Sequence, residues 1–278
     1  MKALQGWISA AHPFPLAMVL LLTVLIAVAS SDGRPAGAGL ALVVTAMLTS
    51  QLAIGWSNDY LDRDLDAVHQ PSKPLPSRLV QARLMPPAIG VALVVSAGSG
   101  ALLGVVPILL LAAGTSCGLA YNFWLKRTRF SAAPYVLAFT VLPLFVWTAL
   151  HVYRDAYLAL YGIAVALPVA AHIANVLPDL DTDRAQERRT IAVALGRTRA
   201  VALALACLLA PLPLTAVSAL WLDYETSILI PTLLVYGLLT TATGACYTVV
   251  RGRAGDVWAF RCLTGAAVVF AGGWLASV

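Results

Sequence analysis

Long apolar runs follow one another along almost the whole chain, separated mostly by short polar turns. Runs at about 14–31, 37–57, 84–103, 105–123, 132–151, 157–178, 200–222, 226–249 and 257–277 are each near the length of about 20 residues that a helix needs to cross a hydrocarbon layer of roughly 30 Å. The pattern predicts an all-α, polytopic membrane protein of about nine transmembrane helices. The nine runs use nearly all of the 278 residues, so the chain reads as a single transmembrane domain, 1–278, without a soluble domain. Two polar interruptions are longer than the rest, at about 58–83 and 179–199. Long charged loops in a compact membrane protein are where function is expected.

Composition agrees with the pattern. Hydrophobic residues make up 60% of the chain and charged residues 11%, against about 25% charged in a soluble domain. That much apolar surface cannot be buried in one soluble core of this size, so lipid is its solvent. A net charge of +5 would suggest a nucleic-acid partner in a soluble protein; here its distribution points to topology, and no nucleic acid is expected. Of the 18 Lys and Arg, all but Arg34 and Arg154 fall on one face of the nine-span arrangement. By the positive-inside rule the N-terminus and both long loops are cytoplasmic and the C-terminus lies outside. The first run reads as a retained span and not a cleaved leader. Ala27-Val28-Ala29 resembles a cleavage site, but one Lys and the segment His12-Pro13-Phe14-Pro15 precede the run. Cys117, Cys207, Cys246 and Cys262 lie in apolar runs without metal-site spacing and read as small core residues.

The two long loops share a pattern. One opens Asn58-Asp59-Tyr60-Leu61-Asp62-Arg63-Asp64-Leu65-Asp66 and the other Asn175-Val176-Leu177-Pro178-Asp179-Leu180-Asp181-Thr182-Asp183, so both contain Asn-x-x-x-Asp-x-x-x-Asp. Each sits where the inward end of a span, the second or the sixth, meets the cytoplasm. With Glu187 these loops hold eight of the 13 acidic residues. Residues four apart share a helix face. If the helix runs on through its motif, Asn58, Asp62 and Asp66 form one acidic stripe with Asp59 beside it. Asn175, Asp179 and Asp183 form another, unless Pro178 breaks that helix early. Asp64 and Asp181 fall on the opposite face and read as structural or solvated.

Stacked carboxylates repel by a few tenths of a kcal/mol per exposed pair, and each charge near the bilayer costs on the order of 2.5–3.5 kcal/mol. Such an arrangement persists when a cation sits within it. Oxygen donors without His or Cys point to Mg²⁺, which takes few carboxylates and completes its shell from water and substrate phosphates. Two such clusters facing one another read as two Mg²⁺ sites gripping a diphosphate. Basic groups follow each cluster: Lys73 and Arg78 in Lys73-Pro74-Leu75-Pro76-Ser77-Arg78, Lys126 after Asn122 at the end of the fourth span, and Arg188-Arg189. They would complement a diphosphate as it departs.

Asn58-Asp59-x-x-Asp62-x-x-x-Asp66, the Lys73-to-Ser77 segment and the second Asp179-x-x-x-Asp183 together resemble the UbiA superfamily of membrane prenyltransferases, over the whole chain. The resemblance implies a helical bundle around a central cavity in a bacterial or archaeal cell membrane. It also implies two Mg²⁺ ions and ionisation of a polyprenyl diphosphate, whose allylic group alkylates an aromatic ring or, in some branches, another small acceptor. Asn58, Asp59, Asp62 and Asp66 would bind one Mg²⁺–diphosphate and Asp179 and Asp183 the other. The family's Tyr-x-x-x-Lys loop motif is one residue longer here, Tyr121 to Lys126, and Gln186-Glu187-Arg188-Arg189 replaces the Gly many members carry after the second cluster.

Gln51 and His172 lie inside spans on the motif faces, where an intramembrane polar group signals either function or an interhelical hydrogen bond. His172 is the histidine placed to accept a proton after alkylation, a role the departing diphosphate serves equally well. His12, His69 and His151 read as interfacial, as do Trp56, Tyr60, Tyr121, Phe123 and Trp124, with cation–π stabilisation of a carbocation as the sharper alternative for these aromatics. Two rival functions stay open. A terpene cyclase would use the same clusters with the substrate's own alkene as nucleophile. A cation transporter is disfavoured because its acidic groups would lie near the midplane.

Overall fold

The computed structural model describes residues 1–185 and 188–278; Glu187 of the second acidic loop lies outside the described residues. The helices in chain order are α1 Lys2–Ala10, α2 Pro13–Ala29, α3 Gly37–His69, α4 Met85–Leu103, α5 Val105–Phe123, α6 Ala133–Leu150, α7 Ala159–Ala164, α8 Leu167–Val176, α9 Leu180–Ala185, α10 Ile191–Leu195, α11 Arg197–Leu209, α12 Pro211–Ser218, α13 Thr226–Ala245 and α14 Gly252–Ser277. Among the described residues seven stretches are long and apolar enough to cross a membrane, and the number is nine if each of two bent helix pairs counts as one span. The bent pairs are α1 with α2, at 63°, and the 155–164 stretch with the 167–185 stretch, at 42°. Pro13 and Pro15 open α2 and Pro168 opens α8, where the missing N–H costs nothing. Large apolar side chains such as Leu102, Val105, Leu109, Leu234 and Leu238 remain exposed on the spans, as helices facing lipid require.

The chain divides into two compact units. The first comprises Met1–Ala27, Pro35–Trp124 and Val141–His151; the second comprises Val28–Arg34, Leu125–Thr140 and Val152–Val278.

In the first unit α3 is the axis, with α4 and α5 packed on it. Its 33 residues extend about 50 Å, well beyond the roughly 30 Å hydrocarbon layer, so the apolar part to about Ser57 continues without a break into the acidic motif. Small and hydroxyl residues bring the helices together, as is usual between helices in lipid. The Ser96 hydroxyl donates to the Ala46 carbonyl at 2.9 Å, Ser50 and Thr115 share a 2.8 Å hydrogen bond, and a Cβ on Gly118 would meet Ile54 at 2.5 Å. The segment after α3 is anchored as well. Leu75, Val80 and Met85 are buried with Ala10, against Trp7 and Trp56, and this fixes the backbone that carries Lys73.

In the second unit α8 packs against α11 and α14, and α13 packs against α14. Gly273 lies so close to Thr232 that a Cβ there would overlap it. The Tyr236 hydroxyl donates to the Leu208 carbonyl, and Ile173, Leu177, Leu180, Ala200, Ala204 and Ala259 form a core under the second motif. A single π turn, Cys246–Val250, ends α13 before α14. Just past its first turn α14 carries Asp256, buried and held bidentately by Arg197 with both N···O distances at 2.7 Å. Asp256 is buried while Arg197 is 40% exposed, and leaving a buried carboxylate without its charged hydrogen-bond partner costs about 1–3 kcal/mol. Arg197→Ala should therefore lower the melting temperature in detergent. An unchanged melting temperature would show that this pair does not anchor α14 to α11.

Candidate active site

Because α3 continues to His69, the first motif is helical throughout. Asp59, Asp62 and Asp66 are all buried, whereas the Asp64 side chain is 87% exposed and reaches only Arg63, at 3.5 Å. This is the division of faces that 100° per residue dictates. Lys73 donates to Asp66 Oδ2 at 2.9 Å and lies 3.5 Å from Asp59 Oδ1. Burial alone would lower the Lys73 pKa, but the carboxylates of Asp59, Asp66 and Asp62 outweigh it and hold the ammonium above its ordinary 10.5. The stabilisation Lys73 gives is therefore complete below 10.5 and fades only as pH rises through the elevated folded-state value. Arg78 lies further along this loop, exposed and at a positive φ of 61°.

The second motif is built differently. α8 ends at Val176, Leu177–Asp179 form a 3₁₀ turn at Pro178, and α9 resumes at Leu180, so no straight helical stripe runs through it. Asp183 is nevertheless buried and accepts from Arg188 at 2.9 Å. Asp179 is half exposed and 3.1 Å from Arg253, while Asp181 is fully exposed beside Arg184. The Asn175 amide donates to the Tyr135 hydroxyl at 3.1 Å. Lys126 is buried in the 3₁₀ turn Leu125–Arg127.

Four further candidates, Asn122, Gln51, His172 and Tyr121, which the sequence places beside the motifs as possible substrate contacts, have the following surroundings. The Asn122 amide donates to the Ile54 carbonyl at 2.7 Å and to Ser57 Oγ at 2.8 Å, which pins α5 to α3 just before the first motif. Gln51 lies on the Met47 sulfur at 3.8 Å, one turn back along its own helix. His172 is fully buried, with Nε2 2.9 Å from Ser131 Oγ and its ring 4.9 Å from Tyr135, so it forms the interhelical hydrogen bond. Tyr121 is half-buried beside the exposed Phe123 and Trp124.

Two contacts have no counterpart in the sequence reading. His12, read as interfacial, has Nε2 at 3.1 Å from Asp59 Oδ1 and 3.4 Å from Asn58 Nδ2. Its signal was the helix break at His12-Pro13, which the sequence displays without saying where the elbow lands. Arg253 on Asp179 is the other; a basic residue some 70 positions from its partner leaves no local trace.

Among the described residues no three His, Cys, Asp or Glu side chains already converge as a metal site. The oxygen-rich set of half-buried Asn58 and buried Asp59, Asp62 and Asp66, beside an ammonium, fits Mg²⁺, which prefers oxygen ligands.

Comparison with known proteins agrees in family and fold. Two curated archaeal relatives, both digeranylgeranylglyceryl phosphate synthases, are similar in sequence. That of Halobacterium salinarum is 32% identical over 61% of this chain and 61% of its own; that of Korarchaeum cryptofilum is 30% identical over 51% of each. The chain thus spans about half to three-fifths of the length of these relatives. A UbiA homolog from Archaeoglobus fulgidus bound to DMAPP and Mg²⁺ superposes with a TM-score of 0.74 over 98% of this chain and 99% of that one, at 16% identity, which shows a shared fold. The model of the UbiA prenyltransferase family matches residues 19–261 and takes in both aspartate motifs, and the chain belongs to that family.

Proposed function

We propose that this protein is a Mg²⁺-dependent intramembrane prenyltransferase that ionises a polyprenyl diphosphate and passes the prenyl group to a small acceptor. The observation that carries the reading is the buried stripe Asp59, Asp62 and Asp66 at the end of an unbroken α3, with Lys73 across two of its members. Asn58 and these three carboxylates would hold one ion, and Asp179 and Asp183 a second. When bound, Mg²⁺ would supply the positive charge that stabilises the departing diphosphate. Lys73 and Arg188, now resting on carboxylates, are the cations that would turn to the diphosphate, with Lys126 and Arg78 as further basic groups.

The allylic C–O bond breaks and diphosphate leaves with the electron pair. An acceptor nucleophile then bonds to the allylic carbon, and its proton passes to the departed diphosphate. His172, buried against Ser131, is assigned a positioning role instead of that of base. Both motifs and the N-terminus lie on the cytoplasmic side in this reading, and the C-terminus lies outside.

The acceptor is a choice between two classes. The relatives' name points to a glyceryl phosphate, which we place first; an aromatic acid, as the family resemblance suggests, comes second. Purified protein in detergent, given C10 to C20 prenyl diphosphates with each acceptor, should yield a Mg²⁺-dependent prenylated product by mass spectrometry. A hydrocarbon formed without any acceptor would establish the cyclase instead, and no consumption of any diphosphate would refute both.

A further inference from the structure

The elbow between α1 and α2 is built onto the first aspartate motif. Ala11 and His12 form the joint, and His12 takes a positive φ of 52°, a conformation a non-glycine residue adopts at some cost. Gly55 allows the joint to approach. A Cβ there would stand 2.9 Å from the Ala11 carbonyl oxygen and 3.0 Å from its carbon, backbone atoms that cannot swing aside. Trp56 fixes the same approach: its indole N–H donates to the Trp7 carbonyl at 3.2 Å, and the two indoles meet edge-on at 5.1 Å. Gly55 is one helical turn before Asp59, on the same face, so the docked elbow delivers His12 to Asp59.

There His12 Nε2 lies 3.1 Å from Asp59 Oδ1 and 3.4 Å from the Asn58 amide nitrogen. A neutral imidazole nitrogen is either a donor or an acceptor; it cannot give a proton to Asp59 and also receive one from Asn58. With the Asn58 amide turned by 180°, an orientation that heavy-atom positions do not distinguish, His12 Nε2 has an acceptor oxygen from Asp59 at 3.1 Å and another from Asn58 at 3.4 Å. Adjacent ligands of an octahedral ion at about 2.1 Å lie about 3.0 Å apart, close to the 3.1 Å separation of Nε2 and Oδ1.

Resting on the functional reading above, we infer that His12 Nε2 is a ligand of the metal at the first aspartate cluster, which makes that site a mixed nitrogen–oxygen site. Imidazole favours later first-row ions over Mg²⁺. The site would therefore hold Mn²⁺ and Co²⁺ more tightly, relative to Mg²⁺, than its carboxylates alone would.

The test uses full-length protein in detergent, loaded with Mn²⁺ and a prenyl thiodiphosphate that resists ionisation, and reads nitrogen coupling to the bound Mn²⁺ by pulsed electron paramagnetic resonance. Wild type should show the coupling of a directly bound imidazole nitrogen. Protein labelled with ¹⁵N-histidine should replace that pattern with the ¹⁵N one. His12→Gln should still bind Mn²⁺ but lose the coupling, and its preference for Co²⁺ over Mg²⁺ should fall by at least about tenfold. Gly55→Ala, which keeps the imidazole but forces the elbow away, should lose the coupling too. Bound Mn²⁺ without imidazole coupling in wild type, or coupling that survives His12→Gln, overturns the inference while leaving the functional reading intact. Absence of Mn²⁺ binding with the thiodiphosphate present defeats both.

Discussion

Asp62→Ala should lower turnover by at least about 10²–10³-fold, the scale on which loss of a preorganised charge-stabilising group is felt, while Asp64→Ala should leave it within a few-fold of wild type. The two residues are two positions apart and chemically identical, so the contrast isolates placement. Asp62 is 8% exposed on the inner stripe of α3. Asp64 points out, 87% exposed, and makes only the surface pair with Arg63, an interaction worth about 0–1 kcal/mol. The second motif repeats the contrast with different local structure: Asp183→Ala should be severe and Asp181→Ala mild, since Asp183 is 8% exposed and held by Arg188 while Asp181 is fully exposed. Melting temperatures of all four variants would separate lost chemistry from lost folding. Equal losses at 62 and 64 would show that the helical stripe is not what organises the site.

The fold was largely legible because lipid leaves few choices. Each span must satisfy its own backbone and keep its surface apolar, and the nine runs in the sequence correspond to the seven continuous spans and two bent pairs of the structure. The faces of the first motif were legible for the same reason, since α3 runs on uninterrupted and a fixed helical period then assigns every side chain. The second motif needed the structure. Pro178 announces a break, but only the 3₁₀ turn shows that Asp183 is turned inward while Asp179 stays half exposed. Least visible were contacts between distant segments. Nothing local says that Asn122 serves the α3–α5 joint, that Asp256 is tied to Arg197, or that the break at His12 lands on Asp59. Hydrophobic periodicity reports which face of a helix is buried and is silent on which neighbour buries it.

The central claim is that diphosphate and Mg²⁺ share one site built from carboxylates, and its second consequence is a large interdependence of the two ligands. Mg²⁺ dehydrates reluctantly and usually leans on substrate phosphates, and a bare diphosphate facing buried carboxylates is repelled. Neither should bind well alone. A prenyl thiodiphosphate supplies the headgroup without reacting, and as a ligand of the folded state it should raise the melting temperature by mass action, by about 2.7 kcal/mol of stability at a hundredfold excess over Kd. Its apolar tail should add up to roughly 0.8 kcal/mol per buried CH₂ until the accommodating space is full, so the length at which the gain stops reports the preferred chain. The decisive measurement is the melting temperature in detergent with the analogue alone, Mg²⁺ alone and both together, corrected for partitioning of the analogue into micelles. The account predicts a shift with both that greatly exceeds the sum of the separate shifts, and that Asp62→Ala abolishes. Equal shifts by Mg²⁺ with and without the analogue, together with equal binding of the analogue in chelator, would contradict it.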